Sequence, residues 1–133
     1  MRLTPIEDFD GAASMLYALL SEREPHESIS HKAMPTFKQH CEFLASEPYT
    51  AWYIIDEGAG AVYLTKNDEI GIGILKAHQR HGLGRQAIRE LMRLHPRKRY
   101  LANVNPHNLP SLRLFERLGF RGPIQVTLEA TSA

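Results

Sequence analysis

The sequence predicts a single α/β domain, equally readable as α+β, in which helices cover the faces of a mixed sheet. Three observations carry that prediction. The chain has 133 residues, and at ~100–200 residues per domain that is one compact unit spanning residues 1–133. The apolar pattern changes period along the chain, from helical spacing in the first third to strict alternation near residue 50. After an αα start the second half reads ββαβαβ, an order that places helices against a sheet.

Leu3 to Ile6 reads as a short first strand. Phe9, Ala12, Ala13, Leu16, Leu19 and Leu20 then recur at helical spacing, with Asp8 as the expected cap and Pro25 as the far bound. Pro25 to Met34 is polar and has no sustained period, so it reads as a loop. A second helix starts near Pro35. Phe37, Cys41, Leu44 and Ala45 give it one apolar face, Pro48 closes it, and Cys41 is read as a packing residue.

Thr50 to Ile55 and Ala61 to Thr65 are rich in aromatic and β-branched residues, and the GluGlyAlaGly between them forms a hairpin turn. Trp52 and Tyr53 belong to the packing of that first strand. Lys66, Asn67 and Asp68 turn the chain into a third strand, Glu69 to Lys76, where isoleucines at 70, 72 and 74 alternate with Glu69, Gly71 and Gly73. Three strands in series predict an antiparallel meander. A helix from about Leu83 to Leu94 ends before Pro96. A strand from Arg99 to Val104, a helix from about Pro110 to Leu118 and a last strand from Ile124 to Leu128 complete the chain.

Composition excludes several classes. With 43% apolar and 23% charged residues the chain is an ordinary globular sequence, neither disordered nor of low complexity. Its longest apolar runs, Met15 to Leu20 and Ala51 to Ile55, are far short of the ~20 residues of a membrane-spanning helix. Glu7, Asp8 and Asp10 stand where a secretory leader would be apolar, so a cytoplasmic location is expected. The single cysteine, Cys41, forms no internal disulfide and supports no cysteine-based zinc site. His78 and His81, spaced i, i+3 without further ligands, read as a surface pair, so no metal is expected.

The net charge of +1 hides an asymmetry. Residues 1–75 hold 5 Lys/Arg against 12 Asp/Glu, whereas residues 76–133 hold 11 against 3, so the second half is expected to meet an anion. The segment from Glu69 to Arg85 runs from a strand through glycines directly into a helix. First-turn helix amides lack intrahelical partners and lie at the positive end of the macrodipole, and glycines let a phosphate approach the backbone. A Walker A ending is absent, and the dinucleotide fingerprint with its later acidic residue does not fit.

What fits is Gln/Arg-x-x-Gly-x-Gly/Ala at Gln79 to Gly84, followed by AsnValAsnProHisAsnLeuProSerLeuArgLeuPheGluArgLeuGlyPhe at 103–120. These two blocks in this order resemble the GNAT superfamily of acetyl-CoA-dependent N-acetyltransferases. The likeness covers residues 50–128 well and residues 1–49 through a compatible order of elements. It implies a GNAT-like mixed central sheet of six to seven strands with about four helices on its faces. It also implies acetyl-CoA as co-substrate, held at its pyrophosphate by backbone amides of Arg80, His81, Gly82, Leu83, Gly84 and Arg85.

On the same resemblance Ile72, Gly73 and Ile74 would meet the pantetheine and the acetyl carbonyl, while Asn108, Ser111 and Phe115 line the other wall. The ligand would lie where two parallel strands, ending at Lys76 and Val104, splay apart beyond their carboxyl ends. A free strand amide at a bulge would polarise the thioester oxygen. Glu69 matches the position that serves some members as general base. Two residues depart from the pattern: Phe115 stands where many members have a tyrosine that protonates the leaving thiolate, and Asn103 where one subgroup has a glutamate base.

Arg85, Arg89, Arg93 and Arg97 recur every fourth residue and share one helix face. That face reads as solvated, as an attraction for the phosphates of CoA, or as a nucleic-acid stripe. The last is the weakest, because no base-reading module is present and aromatic residues do not interleave the basic ones. The acceptor is expected to be a primary amine of a small molecule such as an amino sugar, with a protein or peptide amine as the alternative. Loss of the tyrosine leaves a CoA-binding protein without catalysis as another class. His26, His31 and His40 lie in the region that contributes to the acceptor site in this family, and a homodimer is compatible with the resemblance.

Overall fold

The computed structural model describes residues 1–24, 33–79 and 81–131. A four-stranded antiparallel sheet runs through the molecule in the order β1 (Leu3–Pro5), β2 (Tyr49–Ile55), β3 (Gly60–Thr65) and β4 (Ile70–Ile74). The last three form the expected meander, with Ile54 opposite Ala61 and Ala61 opposite Gly73. Strand alternation sends Ile55, Val62, Leu64 and Ile70 to one face, where they pack with Ala87, Ile88, Leu91 and Phe115. Trp52, Ile54 and Ala61 go to the other face, against Leu16, Leu19 and Leu44.

Four helices cover these faces: α1 (Ala12–Ser21), α2 (Phe37–Ala45), α3 (Leu83–Leu94) and α4 (Leu109–Arg117). Helix α3 has the bounds its sequence period predicts. Its Ile88 and Leu91 are fully buried, each worth about 1.5–3 kcal/mol relative to exposure. Helix α1 does not start at Asp8, which lies in a 3-10 turn over Ile6–Asp8. The chain enters α1 through Gly11 at φ 77°, a left-handed conformation that glycine adopts without penalty. Helix α2 begins with a capping box, in which the Thr36 side chain accepts from the Gln39 amide and the Gln39 side chain accepts from the Thr36 amide.

The sheet has four strands rather than six to seven, because two expected strands do not form. Of Arg99–Val104 only Leu101 pairs, making one parallel bridge with Glu69. The Leu101 amide donates to the Asp68 carbonyl at 2.9 Å, and its carbonyl accepts from Ile70 at 2.8 Å. Ile124, Val126 and Leu128 keep a strand's alternation but are 69%, 71% and 88% exposed, with no ladder partner among the described residues. Periodicity reports a preference, whereas a strand also needs a neighbouring edge in the right place. The expected bulge at the cofactor edge is also missing: β3 and β4 pair in continuous register, and the register shift lies at Tyr49/Ala51 in β2.

Pro25, His26, His31 and the rest of the expected loop up to residue 32, together with Arg80, lie outside the described residues. Among the described residues no helix is long and apolar enough to cross a membrane.

Candidate active site

The site is built on the outer edge of β4. Thr65 donates its amide to the Glu69 carbonyl, and Leu75 donates to Ala59, so odd-numbered residues of this segment face β3. Hydrogen-bonding direction alternates along a strand, and the outward Ile70 amide is the one that meets Leu101. Ile72 and Ile74 therefore turn their amides and carbonyls to the same outer side. Beyond Leu101 no described strand pairs with that edge.

A cleft of about 50 Å³ opens there between Ile70–Ile72 and Asn103–Asn105. Asn108, Ser111 and Phe115 from the start and body of α4 close its far side. Asn108 caps α4, its side-chain oxygen accepting from the Ser111 amide at 3.3 Å. Phe115 is buried in the core edge-on to Phe120, with ring centroids 5.0 Å apart. Gly73 points away from this cleft to the opposite sheet face, where an added Cβ would meet Leu19.

The glycine turn leads into α3 through Gly82 at φ 72°. No side chain caps this N-terminus, so its first-turn amides, from Leu83 to Arg85, lack intrahelical partners. Gly84 admits a close neighbour: an added Cβ would stand 3.1 Å from Leu114 of α4. His81 and Arg85 are exposed beside this turn. The Gln79 side chain donates to the Ile74 carbonyl at 3.0 Å, tying the turn to the end of β4.

Glu69 lies at the opposite end of β4. Its carboxylate accepts from the Thr65 hydroxyl at 3.3 Å and from the Asn103 amide nitrogen. Asn103 itself lines the cleft, so the carboxylate is linked to the cleft wall through one side chain. Thr65 is a further member of this group, and it also accepts at its hydroxyl from the amides of Asn67 and Glu69. The turn sequence Thr-Lys-Asn-Asp-Glu is the signal that could have found it. His78 and His81 join no metal cluster, since no group of three candidate ligands occurs among the described residues.

A second space, of about 110 Å³, adjoins the cleft on the α1–α2 side of the sheet. Leu19, Phe43, Tyr49, Trp52 and Tyr63 form much of its wall. Tyr49 and Tyr63 stack at 4.1 Å with 5° between their planes, and Trp52 meets Tyr49 edge-on at 4.7 Å. Burial, followed by the charge and hydrogen bond of Tyr63, pushes the Tyr49 phenol well above its usual range. His40 also reaches this space, with Nε2 3.1 Å from the Ala13 carbonyl. Trp52 thus lines a cavity, beyond the packing role expected of it, while Tyr53 meets His95 Nε2 at 2.7 Å on the other face. Arg23, Tyr63 and Ile72 border both spaces.

Residues 13–120 match the family model described as acetyltransferase (GNAT) family. This chain belongs to the GNAT acetyltransferase family. A solved structure from Bordetella pertussis, assigned to GnaT-family acetyltransferases, is similar at 25% identity with a TM-score of 0.71. That similarity covers 96% of this chain and 88% of the other. An acetyltransferase from Thermus thermophilus shares the fold at 20% identity and a TM-score of 0.64, covering 90% and 86%. No curated protein matches the sequence. As a GNAT member the chain is an acyltransferase, and the family typically uses acetyl-CoA. Its GNAT blocks coincide with the glycine turn at α3 and the cleft wall at α4, the two features that flank the free edge of β4.

Proposed function

We propose that this protein transfers an acetyl group from acetyl-CoA to a primary amine of a small molecule by direct attack, without an acyl-enzyme. The observation that carries this reading is the outer edge of β4, which leads from a cleft to the uncapped N-terminus of α3. The residues present fit the donor: the first-turn amides of α3 suit a pyrophosphate, and Gly82, with open space beside its Cα, keeps the backbone approachable. Bound there, acetyl-CoA supplies an activated thioester. The amides of Ile72 and Ile74 are the donors on hand to polarise its carbonyl oxygen.

Glu69 accepts a proton from the incoming ammonium, directly or through water, and Asn103 and Thr65 hold its carboxylate in place. Phe115 donates no proton. A thiol with an ordinary pKa of ~8.5 leaves tolerably as thiolate at neutral pH, so the leaving group takes its proton from solvent. Phe115 also supports a second reading, a CoA-binding protein without turnover. The nucleic-acid reading loses support, since Arg93 pairs with Glu90 and Arg97 with Asp68, as in a solvated surface.

Thiol release from acetyl-CoA over a panel of amines tests the activity, and Glu69→Gln tests the base. Loss of a positioned general base is expected to lower turnover ~10²–10⁴-fold and to abolish the acidic limb of the rate profile. An unchanged rate and profile would remove Glu69 from the mechanism. Acetyl-CoA binding with no thiol release from any amine would favour the second reading.

A further inference from the structure

We infer that the aromatic space beside the cleft selects the acceptor, and that the acceptor is an α-amino acid with a compact apolar side chain. This rests on the reading that the acetyl donor occupies the cleft. The two spaces meet at Tyr63, Ile72 and Arg23, so a molecule whose body fills the second space presents its near end to the first.

The lining dictates what that body is. A volume of about 110 Å³ is somewhat below the ~150 Å³ of an apolar cavity that holds one benzene ring, so it matches a branched aliphatic chain better than a saccharide or nucleotide. A sugar would also need hydrogen-bond partners for each hydroxyl, or leave them unpaired at ~1–3 kcal/mol each. The wall answers with rings and leucines. Tyr49 and Tyr63 stack on each other and His40 already engages the Ala13 carbonyl, which among the described residues leaves the buried Trp52 Nε1 as a single unpartnered wall donor for the several hydroxyls of a sugar.

No carboxylate lines the space among the described residues. Among the described residues an ammonium therefore has no counter-charge at depth, and the amine belongs at the mouth, beside the edge of Ile72. Among the described residues the charged side chain at that mouth is Arg23, which suits a carboxylate in a bidentate pair. An amine and a carboxylate at one end, with an apolar body at the other, define an apolar α-amino acid. In the reaction the amine nitrogen bonds the acetyl carbon and the carbon–sulfur bond breaks. Of the two protons the ammonium loses, one ends on the thiol and one in solvent.

Three probes test this: L-leucine, its decarboxylated counterpart 3-methylbutylamine, and glucosamine. Trp52, the only tryptophan, lies in the wall and reports binding through its fluorescence without any turnover. With CoA present, L-leucine is expected to change that signal saturably, at concentrations at least tenfold below those needed for glucosamine. In thiol release, L-leucine is expected to exceed glucosamine at least tenfold in kcat/KM. Arg23→Gln, an exposed substitution, should raise the KM for L-leucine at least tenfold more than that for 3-methylbutylamine. Preference for glucosamine, equal effects of Arg23→Gln on both amines, or no Trp52 response to L-leucine overturns the inference. Failure of acetyl-CoA itself to bind instead overturns the underlying donor assignment.

Discussion

The two faces of the sheet are built from the same three strands and serve opposite ends. On the α3 face, Ile55, Val62, Leu64, Ile88 and Leu91 are fully buried and fill the space between the layers. On the α1–α2 face, β4 contributes only Gly71 and Gly73, and the neighbouring strands supply Trp52 and Tyr63. A glycine beside a flat ring leaves room that a branched residue would occupy. One strand thus anchors the core through Ile70 and borders the two spaces with its glycines. The difference teaches that a period-2 pattern can divide core packing from cavity lining within five residues.

Substitutions on each face test that division. Leu91→Ala, on the filled face, is expected to destabilise by about 2–5 kcal/mol, since it removes buried contacts and leaves a void. Chemical unfolding would show this as a fall in midpoint. A loss below 1 kcal/mol would mean that this face is as loosely filled as the other. Gly71→Ala comes next. Its Cβ would stand 2.0 Å from the Tyr63 ring, so the ring must leave its stack with Tyr49. The expected cost is about 1–3 kcal/mol, together with a changed Trp52 fluorescence, because Trp52 and Tyr63 share that aromatic group. An unperturbed spectrum would show that the stack does not depend on the glycine.

The smallest effect is one of pH and belongs to the filled face. Burial, then the nearby Arg97 charge, hold the His95 imidazole below its ordinary value of 6.5. The Tyr53 hydroxyl lies 2.7 Å from its Nε2, a contact that the neutral ring can make as acceptor. The unfolded chain therefore binds a proton near and below pH 6.5 that the folded chain binds only at lower pH, and stability rises with pH through that window. The contribution is complete above it and lost as pH falls through the folded value. His95→Gln should flatten the pH dependence of the unfolding midpoint between pH 7 and 5. An identical slope in the variant would assign the dependence to other groups.

Much of this organisation was legible in the sequence, for local reasons. The meander follows from the alternation of β2 to β4 and the turns at 56–59 and 66–68, and α3 from its apolar spacing and its glycine entrance. The grouping of Asn108, Ser111 and Phe115 beside one cleft came from the family resemblance of the 103–120 block, and α4 carries it by bringing residues three and four apart to one side. What escaped depends on tertiary context. Arg99–Val104 and Ile124–Leu128 have strand composition, yet pairing is decided by which edge lies beside them. The start of α1 escaped because the chain enters it through Gly11 in a left-handed conformation, with no side-chain cap to mark the position. The aromatic cavity escaped because alternation assigns Trp52 and Tyr63 to a face without saying whether that face is filled.

The central claim is that the free edge of β4 and the glycine turn at α3 together hold an acyl-CoA donor. Calorimetric titration of the protein with acetyl-CoA tests it most directly, at two temperatures so that a binding enthalpy near zero at one is not mistaken for absence. The account predicts saturable binding at one site per chain. Absence of binding heat at both temperatures would contradict it.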